Sequence, residues 1–337
     1  MMKRRLGQIF SQRKTAKWPS FKIVYEWEDI LSESLEIPIY SDSELWKKFY
    51  RRFDKNGLTE LYHRLVPVRD LRLDFVMTAT TDGDCRNNKN TIPVIIDFWL
   101  SEKELPAFFK AYKHVPLMLV TNREVYDFLK RNDCPFPVEH WALSYPDRKL
   151  SVGNDRIEKI YDFCLFGRPD PFFERMRDEY AEKHPDFTFL ITKGNEKNRE
   201  YYTNKGEFIC KDSGRQSYFD MMCKTKITCY STPGMDESKR ETVIFNQVTP
   251  RLFEMLSCGC HVMGHYPEDG ADIQWYGLSS VVPCITNYDE FETCLDEILH
   301  RDVDVKGKEH FLSRHCTSLR CYSLKEILKK YDISIGI

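Results

Sequence analysis

The sequence predicts an α/β protein of two domains, with parallel sheets in the doubly wound manner. Three observations carry that expectation. The second half alternates short apolar runs with amphipathic stretches across brief turns, which favours parallel strands joined by helices. A chain of 337 residues, 42% apolar and 30% charged, can fill two cores and solvate their surfaces. A polar, glycine-containing stretch from Asp147 to Arg156 reads as a linker. The expected domains are 1–155 and 156–320, with 321–337 as a closing helix.

Taken in order, Phe21-Lys-Ile-Val-Tyr25 reads as a strand, and Asp42 to Arg52 as a helix with Leu45, Trp46 and Phe49 on one face. Phe75–Ala79 and Pro93-Val-Ile-Ile-Asp97 read as buried strands. A helix from Glu102 to Tyr112 leads to the strand Leu117–Val120, then a helix from Asn122 to Arg131. In the second half, the strand Tyr161–Phe166 and the turn Gly167-Arg-Pro169 precede a helix from Pro171 to His184. Phe187–Ile191, Ile227–Tyr230 and Cys260–Met263 are strands; Arg215–Cys223 and Pro250–Ser257 are helices. Asn287 caps a helix whose buried face is Phe291, Leu295, Ile298 and Leu299, and Glu309–Tyr331 supplies one or two closing helices. Ligands of such sheets sit at the C-terminal ends of strands. The loops after Phe166, Ile191 and Tyr230, and the entry to the helix at Pro250, are therefore the places for a site.

Fifty Lys and Arg against 52 Asp and Glu give a net charge of −2, which disfavours general nucleic-acid binding. The 12 cysteines include Cys164, Cys223, Cys229, Cys284 and Cys294 inside apolar runs, the usage of buried thiols in a reducing compartment. No stretch approaches ~20 uninterrupted apolar residues, and the N-terminus lacks the apolar core of a signal peptide. A cytoplasmic location is expected. The first seventeen residues carry Lys3, Arg4, Arg5, Arg13, Lys14 and Lys17 around Leu6, Ile9 and Phe10. They read as a frayed basic arm or as a peripheral contact with the anionic inner face of a membrane.

Thr249-Pro250 before an amphipathic run is a helix start, with threonine as cap and proline in the first turn. The first-turn backbone from Thr249 to Leu252, at the positive end of the helix dipole, favours a phosphate. Arg251 adds a forked cation there. Glu254, one turn on, is placed to accept from ribose hydroxyls, and Gly259 ends the helix. The alternative is a surface ion pair between Arg251 and Glu254. Gly167 and Arg168 combine a tight turn and a cation after a strand, while Tyr230, Ser231 and Thr232 would meet the base or ribose. Each of these also fits as an ordinary loop residue. This chemistry reaches as far as nucleotide binding.

The segment Val248-Thr-Pro-Arg-Leu-Phe-Glu-Met-Leu-Ser-Cys-Gly-Cys-His-Val262 resembles the donor site of GT-B glycosyltransferases, nearest the CgeB-like group and its pattern R-x-F-E-x-x-x-x-G. The likeness covers about residues 157 to 320, with Tyr161–Gly167, Ser217-Tyr218, Lys226–Gly234 and the Asn287 helix in the family's order. It implies two Rossmann-like domains with a cleft between them. It further implies a nucleotide diphosphate sugar, UDP- or GDP-linked, as co-substrate without a further cofactor or metal. Glu254 would bind the ribose, and the helix start with Arg251 would stabilise the departing diphosphate. The sugar would pass to a hydroxyl of a saccharide or lipid-linked acceptor in surface polysaccharide synthesis. Many retaining members carry two glutamates with seven residues between them. Here Asn246 stands at the first position, so the stereochemical course stays open. On the acceptor side Asp97, at a strand end, is a candidate general base or a structural cap, with Glu26, Glu28, Asp82 and His63 as rivals.

Competing patterns are weaker. Asp82-Gly83-Asp84 and Asp302-Val303-Asp304 are D-x-D pairs of the kind that hold a metal on donor phosphates, at about chance frequency. Cys258, Cys260, His261 and His265 match no zinc spacing. G-x-S-x-G, the P-loop and G-x-G-x-x-G do not occur in the chain. A nucleotide-sugar epimerase of the same shape and a non-catalytic saccharide-binding protein remain as alternatives.

Overall fold

Apolar runs become strands and the amphipathic stretches between them become helices. The structure is a computed structural model that describes residues 4–16, 21–41, 44–65, 70–82, 89–147, 158–194, 198–211, 214–239, 242–300 and 305–336. The chain divides into two units, Met1–Pro146 with Cys316–Ile337, and Asp147–His315. The boundary expected between 155 and 156 and nearly all of the expected linker fall outside the described residues.

Unit 1 runs β1 (Arg4–Phe10), α1 (Phe21–Leu35), β2 (Ile39–Tyr40), α2 (Glu44–Lys55), α3 (Thr59–Leu65), β3 (Leu71–Thr78), β4 (Thr91–Asp97), α4 (Leu105–Tyr112), β5 (Met118–Val120), α5 (Arg123–Arg131) and β6 (Val138–His140). Unit 2 holds β7 (Tyr161–Cys164), α6 (Pro171–Lys183), β8 (Phe189–Lys193), β9 (Glu200–Thr203), β10 (Phe208–Lys211), α7 (Arg215–Cys223) and β11 (Thr225–Ser231). It continues through α8 (Pro250–Ser257), β12 (His261–His265), α9 (Ala271–Tyr276), α10 (Tyr288–Leu299) and α11 (Val305–Arg314). The chain then returns to unit 1 as α12 (Thr317–Lys330) and β13 (Ile333–Ile335).

Among the described residues the sheet of unit 1 has seven strands in the order β13-β1-β3-β4-β5-β6, with β2 beside β1, and all its pairings are parallel. The sheet of unit 2 has the order β10-β9-β8-β7-β11-β12. Its four strands β8, β7, β11 and β12 are parallel, and β9 and β10 form an antiparallel edge. Phe163, Phe173, Met263, Phe291 and Leu295 fill the core between this sheet and its helices. Asn287 caps α10 by accepting from Glu290 N; of the expected buried face Phe291, Leu295 and Ile298 are buried and Leu299 is partly so.

Three expectations change. Phe21–Tyr25 is the first turn of α1, not a strand. The buried positions Phe21, Val24, Trp27, Glu28, Leu31 and Leu35 recur at helical spacing over fifteen residues, and the local alternation is a fragment of that pattern. The basic N-terminal residues are no frayed arm from Arg4 onward. Leu6, Ile9 and Phe10 are buried between β13 and β3, because the C-terminus supplies the neighbouring strand. Residues 1–3 and 17 lie outside the described set. The hairpin β9–β10 was not anticipated; its turn carries Asn204, Lys205 and Gly206, the last with φ of 91°.

The segment 317–336 is tied to unit 1 by more than β13. Trp141 Nε1 donates to Arg320 O at 3.0 Å, and the buried Arg320 Nε donates to Ala142 O at 3.1 Å. All described cysteines are free thiols; Cys164, Cys223 and Cys229 are buried, and Cys284 and Cys294 partly so. No helix among the described residues is long and apolar enough to cross a membrane.

Candidate functional site

In unit 2 the strand order reverses between β7 and β11, since β7 is followed by β8 on one side while β11 and β12 lie on the other. Two parallel strands that lead outward in opposite directions leave a crevice at their C-terminal ends. A recess lies there, lined by Arg168, Pro169 and Asp170 after β7, Ser231 at the end of β11, Asp236 beyond it, and Arg251 from the first turn of α8. The sequence-selected residues Gly167, Arg168, Ser231 and Arg251 therefore come together.

Gly167 takes φ of 83°, and the Arg251 guanidinium lies against it: a Cβ on Gly167 would stand 2.5 Å from Arg251 Cζ. The absent side chain is what admits the cation. Arg251 is partly exposed and makes no ion pair among the described residues. Arg168 beside it is exposed. Two cations thus flank the recess.

Its acids are already engaged. Asp170 is the N-cap of α6 and is buried. Its Oδ1 accepts from Phe172 N at 3.1 Å and Glu237 N at 3.2 Å; its Oδ2 accepts from Ser231 Oγ at 2.6 Å and faces His265 Nδ1 at 3.5 Å. Burial alone would raise the Asp170 carboxyl, but the bonds from His265, Ser231, Phe172 and Glu237 outweigh it and hold the group below its ordinary value. His265, opposite Ser231 in the β11–β12 register, stacks on Phe172 at 3.8 Å between ring centroids. Asp236 Oδ1 accepts from Ser238 N and Oγ. The compensated carboxylates and the uncompensated Arg251 leave a site suited to an anion.

Other selected residues brace this arrangement. The buried Tyr230 hydroxyl donates to Gln247 O at 3.0 Å and accepts from Thr249 N at 2.9 Å, tying β11 to the start of α8; burial pushes the phenol up to about 12. Its hydroxyl is thus spent within the protein. Thr232 is fully buried and donates to Asn246 Oδ1 at 2.7 Å. Thr249 occupies the cap position with extended backbone, but its side chain makes no cap bond. Leu252 is buried and its N–H donates to Thr249 O. Glu254, 7% exposed, pairs through Oε1 with Arg215 of α7 at 2.8 Å. The ion pair weighed between Arg251 and Glu254 is replaced by one that links two helices.

No family model matches the chain, and no curated protein matches it in sequence. Solved structures match it as folds. One is HepE of Anabaena in complex with UDP and glucose: 8% identity, TM-score 0.50, covering 97% of this chain and 100% of that one. Another is an α,α-trehalose-phosphate synthase (UDP-forming) from Burkholderia vietnamiensis: 8% identity, TM-score 0.51, 93% and 85% covered. A third, the GtfA/B complex, has 11% identity and TM-score 0.48 over 82% of this chain, which spans 60% of that chain's length. The fold is that of GT-B glycosyltransferases, an α/β chain with two Rossmann-like sheets.

Sequence reasoning passed over Asp170 and Asp236 as site residues and weighed His265 only within a zinc pattern. The signal for Asp170 was an aspartate directly before Pro171, a helix-capping pattern. For the other two no local signal exists, because their role comes from strand adjacency. Asp97 ends β4 in unit 1. Gly83, Asp84 and 302–304 of the D-x-D pairs lie outside the described residues, as does the His63 side chain. Among the described residues no group of three or more His, Cys, Asp or Glu is placed to hold a metal ion.

Proposed function

We propose that the chain is a glycosyltransferase that binds a nucleotide diphosphate sugar at the recess of unit 2 and passes the sugar to a hydroxyl of a saccharide or lipid-linked acceptor. The observation that carries this is the Arg251 guanidinium lying over Gly167 at the strand-order switch point, beside Arg168 and the start of α8. A diphosphate is the ligand such a group of donors suits.

In the proposed reaction the acceptor oxygen attacks the anomeric carbon as the bond from that carbon to the β-phosphate oxygen breaks. The nucleoside diphosphate leaves with the electron pair. Arg251 and the positive end of the α8 dipole stabilise the charge that develops on it. Asp97 is proposed as the base that takes the acceptor proton. Metal independence, the CgeB-like subgroup and a surface polysaccharide product belong to the same reading and rest on the resemblance of the 248–262 segment, while a cytoplasmic location rests on the cysteine usage.

Titration of the chain with UDP, GDP and their sugars tests the proposal. UDP is the first probe, since the names of both HepE and the trehalose-phosphate synthase structures include it. Saturable binding is expected, weakened about tenfold or more in Arg251→Ala by loss of a charge-assisted contact. Asp97→Asn should leave that affinity intact while lowering turnover. A chain that binds neither diphosphate, or an Arg251→Ala variant that binds as the wild type does, would remove the basis of the assignment.

A further inference from the structure

We propose that the α2–α3 face of unit 1 is a docking surface for an anionic lipid bilayer. Large apolar side chains cluster there in the open: Leu45 is 78% exposed and Leu65 69%, with Phe49, Leu58 and Leu61 each above 40%. Five such residues within 21 positions exceed the scattered exposure ordinary on a surface.

Helical geometry sorts them. Leu45 and Phe49 are four apart on α2 and form one stripe. Lys48, Arg51, Arg52 and Lys55 form the adjoining stripe, all exposed. Phe53, one turn beyond Phe49, meets Phe49 edge-on at 5.0 Å and Tyr62 of α3 at 5.5 Å, which fastens the two helices. Leu58, Leu61 and Leu65 then recur at helical spacing, with exposed Arg64 beside the last. Glu60 is directed elsewhere, to Lys113 at 2.9 Å and His114 at 3.3 Å. None of Lys48, Arg51, Arg52, Lys55 and Arg64 makes an ion pair among the described residues.

That charge pattern selects the occupant. The buried centre of a protein–protein interface is depleted in charged residues, and of the cations it is arginine rather than lysine that interfaces retain. A lipid headgroup region accepts apolar side chains and cations side by side, the cations meeting anionic headgroups while the apolar groups enter the acyl boundary. The face also offers a contact that the sequence weighed as one alternative for the N-terminus. Leu6, Ile9 and Phe10 are in the core and unable to enter lipid, whereas Leu45, Phe49, Leu61 and Leu65 are outside it. The proposal stands on unit 1 and is independent of what unit 2 binds.

Flotation of the full chain with vesicles tests it. Vesicles of phosphatidylcholine mixed with phosphatidylglycerol should carry the protein. Pure phosphatidylcholine should carry about tenfold less, and added salt should reduce the difference by screening. Two variants separate the contributions, each checked for unchanged melting temperature. Leu61→Ser with Leu65→Ser should lower partitioning to both vesicle types about tenfold. Lys48→Glu with Arg52→Glu should abolish the preference for the anionic vesicles. Flotation that is absent in the wild type, or equal in all three proteins, overturns the proposal. So does a dimer in solution that the leucine variant dissociates, because the occupant would then be a second copy of the chain.

Discussion

Gly167 shows how much one missing side chain decides. Its φ of 83° is costly for any residue with a Cβ, and the space a Cβ would fill holds Arg251 Cζ at 2.5 Å and Nε and Nη2 at 2.8 Å. Arg251 is a flexible side chain, so it would be displaced before the backbone is. Gly167→Ala is therefore expected to cost about 1–3 kcal/mol of stability through strain and to weaken diphosphate binding by more than that loss explains. Gly259 is the control. Its φ is 71°, yet a Cβ there would approach nothing nearer than Lys159 Nζ at 3.7 Å. Gly259→Ala should carry the strain alone and leave binding unchanged. Urea unfolding together with UDP titration of both variants checks this; equal binding losses at the two glycines would show that Arg251 placement is not what Gly167 protects.

At the level of elements, the loops after β7 and β11 are held in register by one carboxylate. Asp170 caps α6, and the same group gathers Ser231, Glu237 N and the His265 ring. Asp170→Asn keeps the shape but replaces an acceptor oxygen with a donor facing Ser231 Oγ. It should destabilise by roughly 1–3 kcal/mol, and loosen the recess enough to weaken ligand binding as well. Denaturation at neutral pH beside the same titration measures both, and a variant as stable as wild type would sink the assignment of Asp170 as the hub. The elements themselves were largely legible. Asn287 announced α10 as its cap and accepts from Glu290 N, and Asn122, read as the start of a helix, caps α5 by accepting from Glu124 N and Val125 N. Gly259 marked the end of α8 with a left-handed turn. What stayed hidden depends on neighbours in space. The Tyr230 hydroxyl looks available in the sequence and is consumed by Gln247 and Thr249 only because β11 passes under the start of α8. The ion pair with Arg251 that helical spacing offers Glu254 as an alternative does not form, because Arg215 reaches it from α7.

Across the whole molecule, unit 1 is assembled from both ends of the chain, with β1 held between β3 and the C-terminal β13. Alternation of strand and helix predicted the class but not this return, because the short run Ile333-Ser-Ile335 resembles a tail until β1 is there to pair with it. The same unit contains a source of pH dependence. Glu28, on α1, is 1% exposed and accepts from Ser11 Oγ at 2.5 Å and Arg13 Nε at 3.1 Å. Burial pushes its carboxyl up to about 7; Ser11 and Arg13 pull it down without prevailing, and Asp74 adds a further upward push. The folded state therefore holds this proton more tightly than the unfolded chain, whose carboxyl titrates near 4.5. The stabilisation is fully present below the unfolded value and is lost as pH rises through about 7, amounting to about 3 kcal/mol at most. Glu28→Gln keeps the packing, and its amide cannot ionise. It should match the wild type at pH 5 and exceed it by about 1–3 kcal/mol at pH 8. Denaturant unfolding followed by tryptophan fluorescence is a suitable readout, since Trp27 and Trp141 are buried in unit 1 and Trp27 packs against Phe75. Parallel stability curves for the two proteins from pH 5 to pH 8 would mean that Glu28 titrates alike in the folded and unfolded chain.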